Sequence, residues 1–182
     1  DGQNIRYLSL DNYRSQNTLI DGKPVFFGAT IEENLRKVQP GISEREFQEI
    51  LEISGLQKVL ENLPEGISTE INQFGMPLSQ GDRVTLALAR GLMSGPRILL
   101  LDEALANLDK SGQISFFENF GKISELKTVI MATHDLRSTA HFEQIIVLDK
   151  GAVVGQGTHD ELLKTCPLYQ ELWTMEQKLT GI

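Results

Sequence analysis

The chain has 182 residues, 40% hydrophobic and 23% charged, which suits a globular protein with one sizeable core or one domain in two lobes. Its formal charge of −8 disfavours broad nucleic-acid binding, and its single cysteine, Cys166, excludes an internal disulfide framework and reads as a partly buried thiol in a reducing compartment. No apolar run approaches the ~20 residues of a membrane-spanning helix, and the opening DGQNIRYLSL lacks the basic-then-apolar order of a signal peptide. That opening reads as a chain entered part-way through a fold.

In chain order, DGQNIRYL is predicted as a turn and a short strand, and NTLI as a second strand ended by the Asp21-Gly22 turn. From Thr30 to Leu63 the pattern is helical. Thr30 with Glu33, and Ser43 with Glu46, have the spacing of capping boxes, and Gly55 stops the second helix before LQKVLENL. Residues 64–77 read as loop. LSQGDRVTLALARGL is a capped helix ending near Ser94-Gly95-Pro96.

The texture then changes. RILLLDE is an almost wholly apolar run, as expected of a strand buried on both faces of a parallel sheet. KSGQISFFENFGKI is an amphipathic helix, KTVIMATHD a second buried strand, and LRSTAHF a short helix. EQIIVLDKGAVVGQG is a hairpin turning at Lys150-Gly151, followed by helix from THDELLKTC onward, with Leu168, Leu172, Trp173 and Met175 as packing residues. The alternation predicts an α/β class with a parallel-sheet core, residues 1–29 and 93–182, and an inserted helical lobe at 30–92.

Ligands of parallel α/β sheets sit beyond the carboxyl ends of the strands. ILLLDE ends there in Asp102 and Glu103, a pair suited to holding Mg²⁺ and orienting a water. VIMATHD ends in His134, able to contact a phosphate or that water. Singly, the acidic pair fits a solvated loop start and the histidine a structural role. His141 and His159 have no ligand partners nearby in sequence.

The order of the segments says more. LSQGD, ILLLDE, ANLD, ATHD and IIVLDKGAVVGQGTHDEL closely resemble, in sequence order, the ATP-binding-cassette (ABC) ATPase domain over nearly the whole chain. KPVFFGATIEENL and LPEGISTEINQFGMPLSQGD resemble the corresponding segments of export-type members, such as those of toxin, peptide or bacteriocin secretion. The resemblance implies a partial P-loop NTPase fold binding ATP and Mg²⁺. It makes Ser79, Gln80, Gly81 and Asp82 the signature that faces a partner's ATP. Asp102 is then the Mg²⁺ residue, Glu103 polarises the attacking water, His134 contacts the γ-phosphate, and Asp109 of the D-loop lies at a dimer interface. The implied partners are a second ABC ATPase domain and a transmembrane domain, with no nucleic acid. The implied place is the cytoplasmic face of a membrane, the bacterial inner membrane by the same likeness.

Three departures stand against the family pattern. No G-x-x-x-x-G-K-[ST] phosphate cradle occurs in the 182 residues, so the chain looks like the domain without its first portion and is expected to bind ATP poorly alone. The Q-loop glutamine position falls on Gly22 or, with a one-residue shift, is served by Asp21. The usual L-S-G-G-Q reads LSQGD, which puts the Asp82 carboxylate in the helix's first turn. Two like charges roughly 8 Å apart repel by about 2 kcal/mol at an effective dielectric near 20, yet an acid at this position stabilises its own helix. In addition, the usual glutamate-arginine pair before the signature corresponds to Gln73-Phe74. Intact Asp102, Glu103 and His134 beside an altered signature suit one half of an asymmetric heterodimer. A non-catalytic coupling or regulatory subunit is the alternative, and a soluble family member acting on DNA or ribosomes is disfavoured by the exporter-like segment and the acidity.

Overall fold

A computed structural model describes residue 2 and residues 4–180, so Asp1 and Gln3 of the predicted first strand lie outside the described residues. The chain separates into two compact units, Asp1–Ala132 and Thr133–Ile182.

The first unit is organised by a three-stranded parallel sheet of β1 (Asn17–Asp21), β4 (Ile98–Asp102) and β5 (Thr128–Ala132), in the order β1-β4-β5. Between β1 and β4 lie the short strands β2 (Ala29–Thr30) and β3 (Glu70–Ile71), which pair antiparallel. The same stretch holds the helices α2 (Ile31–Arg36), α3 (Glu44–Ile53), α4 (Leu56–Glu61) and α5 (Gln80–Met93). One face of the sheet is core: Ile20, Leu99 and Leu101 are buried and pack with α5, whose residues from Val84 to Ala89 are all buried. Gly91 makes this packing possible, because a Cβ there would lie 3.0 Å from both Ile20 Cδ1 and Leu99 Cδ1. The opposite face corrects the expectation of burial on both sides. Leu19 and Ile130 are 62% and 54% exposed, and Leu100 between them is only half-buried.

Local chemistry explains the helix starts. The Thr30–Glu33 and Ser43–Glu46 capping boxes form as the spacing predicts, each side chain bonding the other residue's backbone N–H. Gly55, at φ 79°, takes the left-handed conformation between α3 and α4. Asn34 is fully buried and fully used: its amide donates to the carbonyls of Phe27 and Thr30 at 3.0 and 2.9 Å and accepts from Phe27 N–H at 2.9 Å. A buried amide left unbonded would be costly, so these contacts fix the segment entering α2. Lys127 reaches the carbonyls of Ser94 and Pro96, tying the connection after α5 to the start of β5.

Several elements differ from expectation. Ile5–Tyr7 is a 3-10 turn, not a strand, because the Asn4 side chain accepts from Arg6 N–H at 3.0 Å and curls the chain. An unforeseen helix, α1 (Leu10–Gln16), follows with Ser9 as its cap. The loop at 64–77 contains β3 and a 3-10 turn at Gly66–Ser68. The helix expected from KSGQISFFENFGKI is two, α6 (Lys110–Glu118) and α7 (Phe120–Leu126), broken at Asn119.

The second unit holds α8 (Leu136–Thr139), the hairpin of β6 (Ile145–Asp149) and β7 (Ala152–Gly157), and the helices α9 (His159–Thr165) and α10 (Pro167–Thr180). Lys150 and Gly151 turn the hairpin with positive φ, 48° and 80°, as the two-residue turn requires. Val147, Leu162, Cys166 and Tyr169 form its core. Burial pushes the Tyr169 hydroxyl pKa up, while its oxygen bonds Thr139 Oγ1 at 2.7 Å and His159 Nδ1 at 2.8 Å. Cys166 is thus more deeply buried than expected.

The two sheet faces predict unequal mutational costs in this chain. Leu99→Ala is expected to lose about 2–5 kcal/mol of unfolding free energy, whereas Ile130→Thr, exposed and still β-branched, stays within about 1 kcal/mol. Urea midpoints at constant m-value check this. The capping boxes predict an acid dependence as well. Hydrogen bonds from Thr30 lower the Glu33 carboxyl pKa, and those from Ser43 lower that of Glu46. Their stabilisation is therefore present above the ordinary glutamate pKa and lost as pH falls through the lowered folded values. Denaturant titrations from pH 7 to pH 3 should show a smaller loss for the double variant Glu33→Ala, Glu46→Ala than for the parent.

Candidate functional site

The register of the parallel sheet brings Asp21, Asp102 and Ala132 abreast at its carboxyl edge. Asp21 and Asp102 are both exposed there. Asp21 Oδ1 accepts from Lys23 N–H at 2.9 Å, which shapes the turn leaving β1. Glu103 follows with φ 49°, a left-handed conformation that costs a non-glycine residue of the order of 1–2 kcal/mol. Its N–H still donates to Ala132 O at 3.0 Å, so the strand edge holds the residue in this conformation while its side chain is exposed. Strain persists only where surroundings impose it, and such positions cluster at functional sites.

The start of α5 is built by a third capping box. Ser79 Oγ accepts from Asp82 N–H at 3.2 Å, and Asp82 Oδ2 accepts from Ser79 N–H at 3.3 Å and from the Ser79 hydroxyl at 2.6 Å. The Asp82 carboxylate is therefore folded back onto Ser79, and the only hydroxyl hydrogen of Ser79 is committed to it. Gly81 meets the ANLD turn at backbone distance: a Cβ there would lie 3.2 Å from Asn107 O and 3.8 Å from Asp109 N. Gln80 Nε2 donates to Asn107 Oδ1 across the same junction. Asp109 caps α6 by accepting from Gly112 N–H at 2.7 Å, and Gln113 Nε2 supports the turn from below through Leu105 O at 3.0 Å.

Gly81 and Asp109 are thus neighbours, and Asp21 and Asp102 share the sheet edge, with Gly22 directly after it. His134 belongs to the second unit, where it is exposed. The residues after it are firmly held. Thr133 Oγ1 accepts from Asp135 N–H at 3.0 Å, and Glu176 Oε2 on α10 accepts from Leu136 N–H at 3.1 Å. Arg137 Nε lies 3.0 Å from Asp135 Oδ1 and 3.3 Å from Glu176 Oε1. Burial pushes the Asp135 carboxyl pKa up, but the Arg137 guanidinium and hydrogen bonding with Glu176 hold it below the usual range.

Hard carboxylate oxygens at the sheet edge fit Mg²⁺, which takes one or two carboxylates and completes its shell with water and phosphate oxygens. Among the described residues no group of three or more His, Cys, Asp or Glu side chains could hold a metal by itself. Sequence reading overlooked Asn107, Gln113 and Arg90. Asn107 lies within ANLD, where the family resemblance gives a role to the aspartate alone. Arg90 donates to Val25 O at 2.8 Å and lies 5.5 Å and 5.4 Å from the ring centres of Phe26 and Phe27, lining a cleft with Asp21 and Lys23. Burial lowers its pKa, and its Nε has no hydrogen-bond partner among the described residues.

Comparison with known proteins supplies the context. A family model described as "ABC transporter" matches residues 1–106. Over all 182 residues the chain is 32% identical to the "Multidrug resistance ABC transporter ATP-binding and permease protein" of Lactococcus lactis subsp. lactis (strain IL1403), of which it spans 31%. It is 30% identical over 98% of its length to "ATP-binding cassette sub-family B member 6" of Rattus norvegicus, spanning 21% of that protein. A solved structure of a bacterial Atm1-family ABC exporter with ATP bound superposes with a TM-score of 0.85 at 30% identity, over 96% of this chain and 31% of the other. The chain therefore spans less than a third of the length of each of these proteins.

The capping box predicts a measurable cost at the start of α5. Ser79→Ala is expected to destabilise the chain by about 1 kcal/mol, and the loss should be smaller once Asp82 is already Ala. A double-mutant cycle on urea midpoints reads the coupling.

Proposed function

Because the chain belongs to the ABC transporter family, as an export-type nucleotide-binding domain, we propose that it couples ATP binding and hydrolysis to export. In this reading it pairs with a second ABC ATPase domain and docks on a transmembrane domain, at the cytoplasmic face of the membrane, with no nucleic-acid partner. Residues 30–92 are its helical lobe. The relatives named for multidrug export favour cargo of that kind over toxin, peptide or bacteriocin secretion.

The observation that carries the reading is the carboxylate edge: Asp21 and Asp102 in register, with Glu103 held in a left-handed conformation directly after. Asp102 is the residue that would hold Mg²⁺, whose chemistry is to neutralise charge on the phosphates. Glu103 orients the attacking water and takes its proton. His134 contributes a hydrogen bond to the γ-phosphate. Phosphoryl transfer needs chiefly positioning and charge neutralisation, so the placement of Asp102 and Glu103 at the end of β4 is the first unit's contribution. Gly22 supplies no side chain for the Q-loop role, and Asp21 is the carboxylate nearest to it in the chain.

Across the dimer, Ser79 and the N–H groups around Gly81 would face the partner's ATP. Here the chain is self-satisfied. For Ser79 to donate to a phosphate it must first release Asp82, and a carboxylate stands where a polyanion would approach. This supports a weak site on the partner and a strong one completed by this chain's own carboxylates, the division expected of an asymmetric heterodimer. Asp109 lies at that interface.

A non-catalytic coupling subunit is the second reading, favoured by the Ser79–Asp82 bond. Steady-state ATPase assays separate the two. The 182-residue polypeptide, whose sequence holds no P-loop, should show only background turnover. In the intact transporter Glu103→Gln should cut turnover roughly 10²–10⁴-fold, the range of a lost general base. Unchanged turnover would favour the coupling subunit.

A further inference from the structure

Two of the positions that depart from the family pattern, Gly22 and Gln80, meet on one side chain. A Cβ added at Gly22 would lie 2.6 Å from Asn107 Nδ2, closer than real Cβ contacts come, and 3.5 Å from Asn107 Cγ. The third-nearest atom is Asn107 Oδ1, at 3.8 Å, so the three nearest all belong to one side chain. The other end of the same carboxamide is engaged as well, with Oδ1 accepting from Gln80 Nε2. The Asn107 carbonyl, in turn, lies 3.2 Å from where a Gly81 Cβ would be. All four residues belong to the first unit.

Gly22 is not needed for backbone freedom, since it is not among the glycines with positive φ. What it supplies is room. The far end of an asparagine can usually swing away from an added methyl at small cost. Here swinging away breaks the bond to Gln80, so the clash and the hydrogen bond are one energetic event. We infer that Gly22, Asn107 and Gln80 form a single interlock, in which the space left at residue 22 seats Asn107 and Asn107 positions the N-terminus of α5 against the ANLD turn.

Asn107 is thus a positioning residue. It fixes Ser79–Gly81 relative to Asp109, so that the capped end of α5 and the turn before α6 move as one body. The inference rests on packing within this chain and not on the nucleotide reading, and it stands or falls separately. It also implies a matched set: a side chain at position 22 is tolerated only when residue 107 or residue 80 is changed with it.

The test uses the 182-residue chain and the variants Gly22→Ala, Asn107→Ala and their double, read by thermal midpoint and by amide hydrogen exchange. At a glycine without positive φ, replacement by alanine ordinarily stabilises a protein, because the unfolded chain loses freedom. The interlock predicts the opposite sign: Gly22→Ala lowers the midpoint. Exchange at the Asp82 and Arg83 amides of α5 and at Gly112 of α6 should rise roughly fivefold or more, with the Leu101 amide in β4 changed less. In the Asn107→Ala background the same Gly22→Ala change should leave exchange unaltered and the midpoint equal or higher. Gln80→Ala should lessen the Gly22→Ala penalty, since the freed carboxamide can then move aside. If Gly22→Ala does not fold, recovery of folding in the double variant supports the interlock, and failure to recover overturns it. An unchanged or raised midpoint for Gly22→Ala overturns it, as does a penalty that persists undiminished when Asn107 is alanine.

Discussion

The parallel register of β1, β4 and β5 is the constraint on which the first unit depends. Pairing Asp21 with Asp102 and Asp102 with Ala132 decides which residues emerge together at the carboxyl edge. A one-residue slip would turn Leu99 and Leu101 out of the core and bury Leu100 instead. What prevents the slip is packing on a single face: α5 sits close because Gly91 lets Ile20 and Leu99 approach. The same seating directs the N-terminus of α5 toward the ANLD turn, since a rigid helix pinned at Gly91 has little freedom at Gly81. The carboxylate edge and the capped helix end are therefore consequences of one sheet–helix contact.

At that helix end, stability and ligand binding compete for the same atoms. An exposed helix start leaves N–H groups without partners, and the Ser79–Asp82 box satisfies two of them inside the chain. Those groups and the helix dipole are also what an anion would use. A helix capped by its own carboxylate needs no anion to be stable, and an arriving phosphate must displace a charge already in place. By sequence position alone Asp82 is a repelling charge at a distance. The geometry makes it a competitor for the Ser79 hydroxyl, a shorter-range and more specific effect.

Legibility followed locality. The capping boxes, the Gly55 stop, the apolar strands at 98–102 and 128–132 and the Lys150-Gly151 turn were readable because each depends on residues a few positions apart. Asp102 and Glu103 stand side by side for the same reason, their motif being a short contiguous string at the end of β4. What was hidden depends on distant partners. Ile5 and Tyr7 alternate like a strand, but the chain there turns on local hydrogen bonds, Arg6 N–H to Asn4 Oδ1 and Tyr7 N–H to Asn4 O. Glu70 and Ile71 became a strand only because Ala29 and Thr30 lay alongside. Ile130 belongs to a run apolar enough to be predicted as a buried strand, yet nothing in the periodicity of one strand says whether its second face is covered.

Asn107 is the sharpest case, because its role is invisible at its own position. Compared motif by motif, a glycine at the Q-loop position and a glutamine in the signature count as two separate losses, separated by more than fifty residues. Three-dimensional contact makes them complementary: one vacates the volume that the other's partner fills. A lost side chain in one motif is therefore not evidence of decay when another motif has gained a group that holds the intervening residue. By the same reasoning, restoring either motif alone toward the family pattern would break a contact that the present sequence depends on, so position 22 should be judged together with residues 80 and 107.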